Sequence, residues 1–311
     1  MKLDGIHHVT CITGDAPANV RFYAGTLGLR LVKKSVNQDV PNIYHLFYAD
    51  EEGGAGSDIT FFEYPGAEKG RAGAGMIHRI TFRVASDDSL DFWEQRLKSH
   101  GFDSVRENGR LRFDDPEGLN LELAVDRSGD EPLRARHPEI PEEHALMGFD
   151  GVRAFTSDDS ASKDLFENTL NFEPDSDSSW IIRGENRGSF FIYDEPPGPG
   201  VEGAGTVHHV AWACPMDEQE EWRARVLASG MNVTPIIDRF YFKSIYFREP
   251  SGVLFEIATL GPGFAVDEPL ETLGQDLALP PNYRHLREEL EKQLTPLPDP
   301  RAEDLTRPRG R

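Results

Sequence analysis

Cysteine is nearly absent from this 311-residue chain: Cys11 and Cys214 are too few for a disulfide framework. Each sits in an apolar, strand-like run where a small buried side chain is the expected role. Long hydrophobic runs are missing too. None approaches the ~20 residues needed to span a bilayer, and the opening MKLDGIHHVT lacks the charged-then-apolar profile of a secretory leader. Positive charge is short: 33 Lys and Arg stand against 54 Asp and Glu, a formal charge of -21. That field repels nucleic acid and anionic membranes, so neither is an expected partner. Together these absences predict a cytoplasmic globular protein. Lysine is scarce beside arginine, and an acidic, lysine-poor surface suits a salty cytoplasm. Acidic clusters such as DEQEE at 217–221 and REELEK at 287–292 fall on predicted helices and read as solvated faces.

What is present is a repeat. The hydrophobic content of 38% supports buried cores, and the length allows two domains. Four times the chain reads as a strand, a helix and three strands. The first copy opens with HHVTCIT, starts a helix at Asp15 and Pro17, buries Val20, Tyr23 and Leu27, and stops at Gly28. The second runs from MIHRITFRV through Leu90, Trp93 and Leu97 to GLNLELAV. The third runs from FDGVRAFT through KDLFENTLNF to GSFFIY. The fourth runs from VHHVAWAC, with Trp222 and Val226 on its helix, to GVLFEIAT. The predicted fold class is therefore α+β, with four βαβββ modules in two tandem halves. Residues 1–136 hold modules 1 and 2, and 147–262 hold modules 3 and 4. HPEIPEEHALM at 137–147 links them, and 263–311 form an extension with a short helix near 283–294 and a mobile tail.

Because side chains alternate across a strand, superposing the modules shows which residues share a face. One first-strand column holds His8, Arg79, Gly151 and His209. Counting four residues on from the glycine that enters each last strand gives Thr60, Glu122, Ile192 and Glu256. If both columns face a cleft, His8, His209 and Glu256 supply two imidazoles and a carboxylate. Such a set holds a non-haem Fe(II), or Mn(II), and leaves positions open for substrate and O₂. Ligands lie about 2.0–2.2 Å from such a metal, so modules 1 and 4 must share one cleft and modules 2 and 3 pair with each other. Arg79 and Glu122 are expected to form an ion pair in a vacated site. His7 and His208 sit one step along and should point off the metal face, either as partners of the ligands or as ordinary packing.

These residues resemble the vicinal oxygen chelate superfamily of glyoxalases, bleomycin-resistance proteins and extradiol dioxygenases. HHVTCITGDAPANVRFYAGTLGLRLVKKSV, YHLFYADEEGGAGSDITFF, YFKSIYFREPSGVLFEIAT and ETLGQDLALPP are similar to its hydroquinone ring-cleaving branch, over roughly residues 4–295. The resemblance implies Fe(II) at His8, His209 and Glu256, with substrate contacts at Tyr246, Arg239, His7 and His208. The expected partners are a small dihydroxylated aromatic and O₂. Tyr246 would serve equally as a core tyrosine, and Arg239 as a surface ion-pair partner. A homo-oligomer is compatible with the acidic surface.

Two rival functions share this pattern. A glyoxalase-like isomerase would need a fourth ligand where Thr60 stands, and Glu63, an odd step further, faces the other way. A non-catalytic protein sequestering an aromatic drug would not need the triad.

Overall fold

A computed structural model describes residues 1–299 of the chain; the predicted tail falls largely outside the described residues. Module 1 comprises β1 (Ile6–Thr13), α1 (Ala16–Val20), β2 (Arg30–Val36), β3 (Tyr44–Ala49) and β4 (Asp58–Glu63). Module 2 comprises β5 (Met76–Val84), α2 (Asp87–Ser99), β6 (Ser104–Glu107), β7 (Arg110–Asp114) and β8 (Asn120–Val125). Module 3 has β9 (Phe149–Phe155), β10 (Glu173–Ser176), β11 (Ser179–Arg183) and β12 (Gly188–Asp194). Module 4 has β13 (Val207–Cys214), α3 (Gln219–Ala228), β14 (Ile237–Asp238), β15 (Phe242–Arg248) and β16 (Leu254–Pro262).

The helices form where the sequence places their signals. Asp15 caps α1 by accepting from Ala18 N, and Pro occupies an early helical position where no intrahelical N–H is needed. The chain then continues as a π-helix over Arg21–Thr26 and turns out at Gly28, whose φ is +70°. Module 3 repeats this with a π-helix at Leu165–Thr169 and Asn171 at φ +57°. The predicted stripes are buried: Val20, Tyr23 and Leu27, then Leu90, Trp93 and Leu97, then Trp222 and Val226.

Two eight-stranded sheets result. One has the order β14-β15-β16-β13-β1-β4-β3-β2, the other β10-β11-β12-β9-β5-β8-β7-β6. Modules 4 and 1 thus build one sheet and modules 3 and 2 the other, the pairing that ligand convergence demanded. Each sheet draws one module from each half of the sequence. The joints are antiparallel, β1 on β13 and β5 on β9, and within each module the first strand pairs parallel with the last.

After Gly263 the chain folds back on β2 through short 3-10 turns, a 3-10 segment at Pro281–Leu286 and α4 (Arg287–Gln293). Ala278 N donates to Lys34 O at 2.8 Å, and Gly274, at φ +75°, passes so close to Leu31 O that a Cβ would lie 1.8 Å from it. Among the described residues, no helix is long and apolar enough to cross a membrane.

Candidate metal centre

Register brings the predicted residues together. In β1–β13, Thr10 lies opposite His209 and His8 opposite Ala211; Ala211 in turn is aligned with Glu256, and Glu256 with Tyr246. Residues directly opposite in a sheet share a face, so His8, His209, Glu256 and Tyr246 all emerge on one side. Their neighbours Val9, Val210, Phe255 and Ile257 are fully buried on the other. The fourth residue after each entering glycine falls at the same register in all four modules: Thr10 with Thr60, Thr81 with Glu122, Arg153 with Ile192, Ala211 with Glu256.

His8 Nε2 lies 3.2 Å and His209 Nε2 2.8 Å from Glu256 Oε2, and the two nitrogens are 3.3 Å apart. Among the described residues these three form a buried group whose ligand atoms all lie within 4.8 Å of one another. Glu256 Oε1 is held by the hydroxyl of fully buried Ser244, whereas Oε2 accepts no hydrogen bond of good geometry. A buried, unsatisfied carboxylate oxygen facing two imidazole nitrogens is costly without a cation. The donor set therefore fits a divalent transition metal. Burial pushes His209 down to about 4, against the pull of Glu256, and so favours the neutral imidazole a metal requires.

His7 and His208 depart from strict alternation. In β1–β13 the register jumps between Ile6 and His8, and again between Thr10 and Cys11, whose partners His209 and Val207 skip His208. His7 and His208 are thus extra residues in two bulges. The second sheet repeats both, at His78 and Asp150. A bulge re-aims its side chain, and here each imidazole turns back to its neighbour: His7 Nδ1 lies 2.9 Å from His8 Nδ1, and His208 Nδ1 2.7 Å from His209 Nδ1. His7 Nε2 is 3.1 Å from Thr259 O. A carbonyl only accepts, so His7 carries its proton on Nε2. Burial lowers His7 to about 3, so the ring is neutral and its Nδ1 accepts from His8 Nδ1–H. His8 Nε2 is left with a lone pair aimed at the cluster.

A cavity of about 290 Å³ opens over the triad. Tyr246 and Arg239 both line it. Arg239 Nε donates to the Tyr246 hydroxyl at 3.2 Å, while its terminal nitrogens reach Asp39 at 3.0 and 3.2 Å. Burial and the Glu256 carboxylate push the Tyr246 phenol above its ordinary value, against Arg239. Sequence reading missed His45, on the same cavity wall. Its Nε2 lies 2.9 Å from Thr60 Oγ1, which donates to Thr10 at 2.9 Å. The signal was in β3, where Leu46 and Tyr48 are fully buried and the odd positions His45 and Phe47 must face the cleft. Glu63 faces the other layer and accepts from Ala16 N at 3.1 Å. In the second sheet, Arg79 Nη1 lies 3.4 Å from Glu122, as expected of a vacated site.

The sequence profile of the Glyoxalase/Bleomycin resistance protein/Dioxygenase superfamily matches residues 5–123 and 148–257. The "Putative ring-cleaving dioxygenase MhqO" of Bacillus subtilis is 40% identical over 304 residues, covering 95% of this chain and 97% of that protein. The chlorohydroquinone/hydroquinone 1,2-dioxygenase of Sphingobium indicum is 31% identical over 309 residues, covering 93% and 95%. A crystal structure described as a "putative dioxygenase" from Bacillus subtilis superposes with a TM-score of 0.88 at 39% identity, over 96% of this chain and 98% of that one. Glyoxalase I from Zea mays shares the fold, with a TM-score of 0.57 at 16% identity over 82% and 92%.

Proposed function

The chain belongs to the Glyoxalase/Bleomycin resistance protein/Dioxygenase superfamily, in its hydroquinone ring-cleaving branch, and from that premise we propose an Fe(II)-dependent dioxygenase that inserts O₂ into a dihydroxylated aromatic ring. The observation that carries this reading is the buried convergence of His8, His209 and Glu256 around one unsatisfied oxygen. These three residues would hold the metal. When bound, the ion supplies a Lewis acid for a ring oxygen and a route for electrons from the ring to O₂.

The chain's own residues do the rest. Phe47, Phe62 and Tyr64 wall the cavity and suit a single aromatic ring. Arg239 fixes the Tyr246 oxygen by donating to it, which leaves the phenolic proton free to meet negative charge on a substrate oxygen. With the His209 Nε2 lone pair aimed at the cluster, its Nδ1 carries a proton that His208 Nδ1 accepts. His208 then presents an Nε2–H to the cavity. Two observations speak for the oxygenase over an isomerase: the fourth place is Thr60, tied to His45 and Thr10, and Glu63 is engaged at the start of α1.

The test is anaerobic loading with Fe(II), addition of methyl- or chlorohydroquinone, and admission of air. O₂ uptake matched by ring-opened product is expected. Conversion of a hemithioacetal with no O₂ uptake would overturn the reading in favour of the isomerase, and saturable binding without turnover in favour of a sequestering protein. Loading with Mn(II) in parallel identifies the preferred ion.

Two substitutions separate positioning from chemistry. Tyr246→Phe removes one proton donor and is expected to lower kcat roughly 10²-fold with metal content unchanged, as read by O₂ electrode and elemental analysis. His7→Phe keeps the aromatic packing against Phe242, whose ring centre is 5.1 Å away, but frees His8 to adopt either tautomer. Metal affinity should fall about 10- to 100-fold, measured by competition with a chelator. Unchanged affinity would exclude the relay from Thr259.

A further inference from the structure

The second sheet keeps the strand order and bulges of the first, yet it is not filled in. On its face lies a cavity of about 640 Å³, more than twice the volume over the triad, and no residue that lines one lines the other. Two glycines shape its floor. A Cβ at Gly151 would lie 2.4 Å from the ring of Phe190, and one at Gly188 would lie 2.6 Å from the guanidinium carbon of Arg183. Only the missing side chains let these two planar groups lie flat along the strands.

Four arginines, Arg83, Arg110, Arg127 and Arg183, stand around this floor in a protein of formal charge -21, against two carboxylates: Asp150, paired with Arg83 at 3.2 Å, and Asp87, paired with Arg106 at 2.9 Å. Arg110 sits over Phe190, its guanidinium carbon 5.6 Å from the ring centre. It shares the single carboxylate of Glu122 with Arg79, at 3.1 and 3.4 Å, so two cations divide one anion. Arg183 engages Asp130 through one nitrogen, and that carboxylate is already bound to Arg83. Arg127 is exposed on the cavity wall, with no ion-pair partner among the described residues. Arg110, Arg127 and Arg183 therefore retain N–H donors beside an apolar wall of Phe190, Ile181 and Ala124.

We propose that this second cleft is a binding site for a planar organic carboxylate about the size of one substituted ring. The ring stacks on the Phe190 and Arg110 layer, and its carboxylate takes the guanidinium fork of Arg127 or Arg183. The apolar strip of Phe190, Ile181 and Ala124 takes the ring face, and the polar, arginine-bearing rim takes the carboxylate. Inorganic anions would satisfy the arginines but leave the floor unused.

Calorimetric titration of the whole chain with sodium benzoate tests this, with sodium cyclohexanecarboxylate and inorganic phosphate as the non-planar and non-carbon probes. Benzoate is expected to bind once per chain and more tightly than either. Its affinity should fall about tenfold or more in Arg110→Gln/Arg127→Gln and stay unchanged in His209→Ala, which alters only the first cleft. Both arginines are solvent-accessible, so this variant should melt like the parent, and Arg127→Gln alone provides a smaller, graded loss. The proposal is overturned by the absence of saturable benzoate binding, by equal affinity for cyclohexanecarboxylate or phosphate, or by binding that disappears in His209→Ala and survives in the arginine variant.

Discussion

Glu256→Gln is expected to yield a folded protein that retains no iron and consumes O₂ with a hydroquinone at less than about a thousandth of the parent rate, a loss of ~4 kcal/mol or more in transition-state stabilisation. The substitution keeps the shape of the side chain. Ser244 can still donate to the amide oxygen as it does to Glu256 Oε1, so the strand pairing of β15 and β16 survives. What changes is the atom facing the two imidazoles: an NH₂ donates towards His8 and His209 where a carboxylate oxygen lay 3.2 and 2.8 Å away. Those donors occupy the lone pairs a metal would take. The apo variant should melt no lower than the apo parent, because an unsatisfied buried oxygen has been replaced by a satisfied group. Adding Fe(II) should raise the melting temperature of the parent alone, since only a folded state that binds the ion is stabilised by it. Full metal retention in Glu256→Gln would remove the carboxylate from the ligand set.

The triad was legible because it is a difference between repeats. His8 and His209 occupy one column, Glu256 the matching late position, and the ladders place all four modules in the same register. The cross-pairing of modules followed from the same residues, because chain-distant ligands can meet only if their modules share a sheet. Period-two reasoning set His7 and His208 off the metal face but left them open between partners of the ligands and ordinary packing, and their contacts with His8 and His209 fit the first. At His7 and His208 a bulge adds a residue to one strand, and nothing in IHHV or VHHV distinguishes a bulged dipeptide from a regular one. His45 escaped for another reason: it lies on a third strand and belongs to neither column used to locate the cleft. Tyr246 and Arg239, each open to a structural reading, prove to be joined to one another, and Arg239 both binds the phenol and makes the surface ion pair. The differences between the clefts are equally local. Arg79 in place of one histidine and Gly151 in place of the other take the imidazole ligands from the second sheet while its strand order and bulges stay the same.

Lys33 was invisible to sequence reading for a distinct reason: in RLVKKSV it looks like half of a solvated pair, whereas its partners arrive more than 200 residues later. Its ammonium is fully buried, 2.8 Å from Asp267 and 3.0 Å from Phe264 O, in contact with Glu268, and 4.9 Å from the centre of the Tyr241 ring. It clamps the extension to the sheet that carries the triad. Phe264, at the clamp, packs 5.1 Å from Phe47, which lines the cleft. Lys33→Met preserves the stem but strands two carboxylates, a change that costs about 3–5 kcal/mol when one partner of a buried charge cluster is removed. The melting temperature should drop on the order of 10 °C, and cleavage by a protease should begin within residues 263–286. Neutralising the partners as well, in Lys33→Met/Asp267→Asn/Glu268→Gln, should recover much of the loss, because the deficit comes from unpaired charge and not from missing volume. If the triple variant melts no higher than Lys33→Met, packing around the stem holds the extension in place and the charge cluster does not.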